Sequence, residues 1–186
     1  MVNFWEMKLR EECAPLTSLS YFKPVYHSLL QPHPMLVTAG PNPYEVAKSV
    51  VQCRMLSGRY RTELLASHWS NNKHGYCLSP TCSSVPESIK HIPLFCPAYE
   101  TTRGKMTRLW LSSGDSNVAK LAASVLRGSA DSLMQFLLDA STHPAVISLT
   151  QHYGPNILQK VFHLTRSWCF AVHKERAKVL GRWVTH

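Results

Sequence analysis

Four residues of this chain, Cys77, Cys82, His91 and Cys96, have the types and the close spacing to hold one metal ion. Written out they read Cys77-LSPT-Cys82-SSVPESIK-His91-IPLF-Cys96, a C-x4-C-x8-H-x4-C pattern. Thiolate sulfur and neutral imidazole suit Zn²⁺, and a structural zinc takes four such ligands in a tetrahedron with no open position. The first pair is widely spaced for zinc ligands, whereas the His-x4-Cys pair is ordinary. Two other readings stay open: three cysteines and a histidine that share a stretch by chance, or a disulfide between two of the three. His74 lies three residues before Cys77, and Cys53 and His68 lie further upstream. Each is an alternative ligand or an ordinary surface or core residue.

Metal-spaced cysteines with no export signal before them favour a reducing, intracellular setting, cytoplasmic or nuclear. Cys13, Cys53 and Cys169 then read as small apolar fillers. No run of eighteen apolar residues occurs, so no membrane span is expected. The net charge of +9 on 186 residues is unevenly placed. Residues 1–43 balance to zero, 44–112 carry nine basic and four acidic residues, 113–153 carry two and three, and 154–186 carry six and one. Positive charge therefore surrounds the cysteine cluster and returns at the C-terminal end, which suits a polyanionic partner or simply a solvated basic face.

The elements that must position these residues read as mostly α. Residues 1–43 contain Pro15, Pro24, Pro32, Pro34, Pro41 and Pro43 and form an extended arm whose Tyr21-Phe22 and Met35-Leu36-Val37 patches pack on something else. A helix starts after an Asn42 cap, shows Val46, Val50, Cys53 and Leu56 on one apolar face, and breaks at Gly58. Arg59 to Thr62 opens a second short helix that runs to about Trp69. Pro86-Glu87-Ser88 starts a two-turn helix that carries His91 and is disturbed by Pro93. Further helices cover Pro97–Leu111, Asn117–Arg127 and Ser129–Ala140, with a short one after Pro144. A long last helix opens at Gly154-Pro155 and stops at Gly181. Its apolar stripe is Ile157, Val161, Leu164, Trp168, Val172 and Val179, and Lys160, Arg166, Lys174, Arg176, Lys178 and Arg182 lie opposite. The fold class is thus a small helical domain with a zinc-knuckle insertion, in three regions: the arm 1–43, the helical zinc-knuckle region 44–112, and 113–186 ending in the long amphipathic helix.

Catalysis has no local signature. Phosphodiester chemistry on Mg²⁺ needs converging carboxylates, and Asp115, Asp131 and Asp139 stand apart. No P-loop or G-x-S-x-G occurs. A zinc with four protein ligands leaves no position for a catalytic water. The expectation is a chain that is not an enzyme.

The run Arg54-Met55-Leu56-Ser57-Gly58-Arg59-Tyr60-Arg61, then His68-Trp69-Ser70, the four ligands and "HIPLFCPAYETTR" resemble the C-terminal region of non-LTR (LINE-type) retrotransposon reverse transcriptases. "NPYEVAKSVVQCRML" at 42–56 and "LTRSWCFAVHKERAKVLGRW" at 164–183 are similar to the same family, and the likeness spans roughly 17–186. It implies a zinc-knuckle region that follows the polymerase thumb and contacts template RNA or target DNA, with Cys77, Cys82, His91 and Cys96 as the ligands. Pro93 departs from the family's helix-compatible residue. Fingers, palm and endonuclease fall outside the chain, which reads as a detached tail able to dock on the rest of a reverse transcriptase.

Two readings compete. In a nucleic-acid-binding module, Arg59, Arg61, Lys73, Lys90, Arg103 and Arg108 meet phosphates of RNA or DNA, while Tyr60 and Trp69 stack on unpaired bases. Both aromatics equally suit a core. In a non-catalytic interaction or scaffold domain, the zinc is purely structural and the last helix docks on a partner.

Overall fold

A computed structural model describes residue 11 and residues 20–22, 32–70, 74–82 and 84–181. The protein is mostly α, and among the described residues the only β pairing is one isolated antiparallel bridge, Tyr76 with Pro86. The single turn α1 is Pro34–Val37, capped by the His33 side chain. Helix α2 is Pro43–Leu56, and the Asn42 side chain caps it by accepting from the backbone N–H of Tyr44 and Glu45. Helix α3 is Glu63–Ser67, with Thr62 as its cap. After the cysteine segment come α4 (Glu100–Leu111), α5 (Ser116–Leu126), α6 (Ala130–Leu138), α7 (Pro144–Tyr153) and α8 (Asn156–Val179). Side chains of Asp115 and Ser129 cap α5 and α6, the short polar acceptors that helix starts favour.

Helix α8 runs through the middle of the molecule, with α2 its most extensive neighbour and α4, α6 and α7 around it. An aromatic stack locks these together. Trp110 of α4 lies 4.5 Å from Trp168 of α8 and 5.3 Å from Phe136 of α6, ring centre to ring centre. Trp110 Nε1 also donates to the carbonyl of Leu164. Tyr21 and Phe22 rest against the same core, and the Tyr21 hydroxyl donates to Asp131.

Two faces differ from expectation. On α2, Val46 and Val50 are 42% and 39% exposed, while Lys48, Ser49, Val51, Gln52, Met55 and Leu56 turn inward. The inward polar donors find acceptors: Gln52 Nε2 donates to the Leu137 carbonyl and Thr165 Oγ1, and Ser49 Oγ donates to the Met35 carbonyl. A buried polar group that keeps its hydrogen bond costs little, so apolar periodicity alone placed Val46 and Val50 on the wrong side, while Leu56 is buried as expected. On α8, Arg166 and Arg176 are buried rather than solvated, and Val179 is exposed. Arg166 donates to the Met35 carbonyl, Thr38 and Glu45, and Arg176 forms a two-pronged pair with Glu87. Each guanidinium enters the interior because a distant carboxylate meets it there. The first turn of the second short helix also starts later than expected, at Glu63, because Arg59–Arg61 are not helical and the chain bends at Tyr60. Helix α7 is longer than expected. Among the described residues no helix is long and apolar enough to cross a membrane.

Candidate metal centre

The segment between α3 and α4 folds back on itself to bring the four spaced residues together. Gly75, at φ +76°, starts the return. Cys77 N–H donates to the Val85 carbonyl and Glu87 N–H to the Gly75 carbonyl, closing a short antiparallel clasp. Within it, Cys82 N–H donates to the Ser79 carbonyl. The second ligand pair sits on one wide turn, His91–Phe95, rather than on two helical turns. Pro93 has no N–H to give, and the turn closes instead from Cys96 N–H to the His91 carbonyl. Ser88 Oγ accepts from His91 N–H and holds the start of the turn.

The four ligand atoms all lie within 4.8 Å of one another. Cys96 Sγ is 3.8 Å from Cys77 Sγ and 3.5 Å from Cys82 Sγ. Sulfurs on a common tetrahedral ion about 2.3 Å away stand roughly 3.8 Å apart, whereas a disulfide needs about 2.05 Å. The thiols are free, and the disulfide reading drops out. Cys82, His91 and Cys96 are buried, and Cys77 is 9% exposed. His91 Nε2 is buried with no hydrogen-bond partner, an orphan that a metal satisfies. Burial lowers the His91 pKa and so favours the neutral imidazole a metal requires. Burial likewise raises the Cys77 thiol and pushes the Cys96 thiol up to about 12, and coordination to a divalent ion reverses that by deprotonating the thiol outright. A Cys3His cluster of this compactness can hold a metal ion and is compatible with zinc. His74 stays outside it: its Nδ1 accepts from Tyr76 N–H, and its ring stacks on Tyr76.

Buried Glu87 ties the centre to the rest of the fold. Its Oε1 and Oε2 accept from Arg176 Nε and Nη2 of α8 at 3.0 and 2.7 Å, and Oε2 also accepts from Glu63 N–H at the start of α3. Burial disfavours the charged Arg176, but Glu87 outweighs it and raises the Arg176 pKa.

The expected nucleic-acid contacts separate into three groups. Arg59, Arg61 and Arg108 are exposed, and Trp69 is 75% exposed just after α3. Lys90 pairs with Asp131, and Arg103 donates to the carbonyl of Cys96 at 2.6 Å, so both are engaged within the fold. Tyr60 is a correction: it is 7% exposed, its ring packs edge-on to His173, and its hydroxyl shares a hydrogen bond with His173 Nδ1 at 3.1 Å. A ring in that position offers no face for a base. Lys73 lies outside the described residues. Tyr76, Leu78, Val85 and Phe95, exposed around the cluster, drew no attention in the sequence, since alternate residues of a short clasp carry little periodic signal. Compared with protein-family models, curated proteins and solved structures, the chain finds no match.

Proposed function

We propose that this chain is a zinc-stabilised, non-catalytic nucleic-acid-binding module of the kind found at the C-terminal end of LINE-type reverse transcriptases. The observation that carries the reading is where the charge goes. Four carboxylates pair with basic groups of the same chain: Glu45 with Lys48 and Arg166, Glu87 with Arg176, Asp115 with Lys160, and Asp131 with Lys90. Arg59, Arg61 and Arg108 face solvent with no acidic partner among the described residues. Unopposed guanidinium groups suit phosphates, and an exposed tryptophan suits unpaired bases, of single-stranded RNA or DNA. Cys77, Cys82, His91 and Cys96 would hold the zinc, whose part is to cross-link the segment between α3, which Trp69 follows, and α4, which carries Arg108. Among the described residues the only metal-type cluster is Cys77, Cys82, His91 and Cys96, with no group of converging carboxylates for Mg²⁺, and neither primer extension nor DNA cleavage is expected.

Exposed Leu78, Val85 and Phe95 favour a second reading, a protein-interaction domain with structural zinc. Binding of single- and double-stranded RNA and DNA, measured over a range of salt, separates the two. The nucleic-acid reading expects affinity to fall steeply with salt. It also expects Arg108→Ala to weaken binding to unrelated sequences alike and to reduce the salt slope by about one unit. A zinc-loaded chain that binds no oligonucleotide at any salt overturns it in favour of the interaction domain.

A further inference from the structure

Between α2, the non-helical stretch after it and the last turns of α8 lies an open cavity of about 340 Å³. Four arginines line it, Arg54, Arg59, Arg61 and Arg176, and no carboxylate does. Their convergence follows from the local chain. Gly58, at φ +67°, reverses the backbone after α2, and Tyr60 N–H donates back to the Arg54 carbonyl at 2.8 Å. In the non-helical stretch that follows, the chain bends at Tyr60 and buries that side chain. Tyr60 therefore points in, while Arg59 and Arg61 flank it and face solvent. Arg54 projects from the last turn of α2 to the same mouth. The floor is rigid: Tyr60 is held by His173, and the Arg176 guanidinium lies 5.6 Å from its ring centre, fixed from behind by Glu87. The remaining wall is apolar, made by Val51, Ala177 and Leu180.

Arg54, Arg59 and Arg61 are exposed like charges gathered around one hollow, with no acidic partner among the described residues. Such an arrangement is self-repelling unless an anion enters. Guanidinium forks match phosphate oxygens two at a time. The hollow lies at the lower end of the about 300–1,000 Å³ range of small-molecule sites. It has room for more than a phosphate, and its apolar wall asks for a ring or sugar face beside the charge. We propose that this cavity seats one phosphorylated nucleoside unit, with its phosphate on Arg54, Arg59 and Arg61 and its base or sugar against Val51, Ala177 and Leu180. The inference rests on the nucleic-acid reading and deepens it, by naming where a single nucleotide of the bound strand is held.

The test uses the full zinc-loaded chain and four probes: adenosine 5′-monophosphate, adenosine, inorganic phosphate and a single-stranded adenylate 12-mer. Arg54→Ala, Arg59→Ala and Arg61→Ala are compared with Arg127→Ala, an exposed arginine elsewhere. The expected result is binding of the 12-mer that is about tenfold or more weaker in each cavity variant, the size of one lost charge-assisted hydrogen bond, and unchanged in Arg127→Ala. Monophosphate that competes with the 12-mer better than adenosine or inorganic phosphate assigns the site to a free or terminal nucleotide. Monophosphate that does not compete, with the variants still weakened, assigns it to a unit within a chain. Inorganic phosphate competing as well as the monophosphate overturns the nucleoside part. Cavity variants that bind the 12-mer as the parent does overturn the site and leave the nucleic-acid reading standing. A parent chain that binds neither the 12-mer nor the monophosphate overturns both.

Discussion

His91 and His74 illustrate how differently two histidines near the same cysteines are used. His91 is buried with an orphaned Nε2, and His74 is exposed, accepting from a backbone amide and stacked on Tyr76. His91→Ala or Cys82→Ser should therefore lose the bound equivalent of zinc and loosen the segment around it, since metal binding of this type is coupled to folding. His74→Ala should keep the metal. Metal analysis after gel filtration checks both, and full zinc in His91→Ala would remove His91 from the ligand set. Glu87 carries a second prediction at this scale. Removing it in Glu87→Ala leaves the Arg176 guanidinium buried and unpaired, which costs about 3–5 kcal/mol. Denaturant unfolding reads this directly. Adding Arg176→Met should return part of the loss, because the stranded charge is then gone.

At the scale of elements, the local signals were largely legible. Asn42, Thr62, Asp115 and Ser129 cap the helices they precede, and each does so with a side chain that reaches only two or three residues. The non-helical stretch after α2 was misread as helix because Arg, Tyr and Arg fit a helix well enough and nothing nearby forbids one. Gly58 decides the matter by turning the chain at positive φ. Gly58→Ala should cost about 1–2 kcal/mol in unfolding free energy, the left-handed penalty of a residue with a Cβ. It should also weaken oligonucleotide binding if Arg59 and Arg61 are displaced with the turn. A variant of unchanged stability would show that this turn does not need the glycine. The wide turn at His91–Phe95 is likewise local in origin, a short helix interrupted where Pro93 has no N–H.

At the scale of the whole molecule, Glu45 joins α2 to α8 through His163 and Arg166, and Arg166 in turn reaches Met35 and Thr38 before α2. Burial works against its charge, but Lys48, His163 and Arg166 outweigh that and hold its pKa below the ordinary 4.5. A lowered folded-state pKa means that the unfolded chain binds the proton first as pH falls. Glu45 therefore contributes stability above the usual carboxylate range and loses it in acid, as the pH drops through its folded value. Glu45→Gln should be less stable than the parent at neutral pH, and the gap should close below about pH 4. Comparing the two proteins at each pH cancels any shared effect of zinc loss in acid. A gap that is constant down to pH 2 would mean that the charge of Glu45 contributes nothing.

The chain's own order of residues was enough to set the four-residue cluster, the Asn42 cap and the helical class, because spacing, proline and short polar side chains act over a few residues. The burial of Gln52, Arg166, Arg176 and Tyr60 was not legible there. Gln52, Arg166 and Arg176 look like surface groups, and Tyr60 suits surface or core alike, until Leu137, Glu45, Glu87 or His173, far away along the chain, supplies the partner. A polar group is buried or solvated according to whether its hydrogen bonds can be replaced inside, and only the tertiary structure brings the replacements within reach.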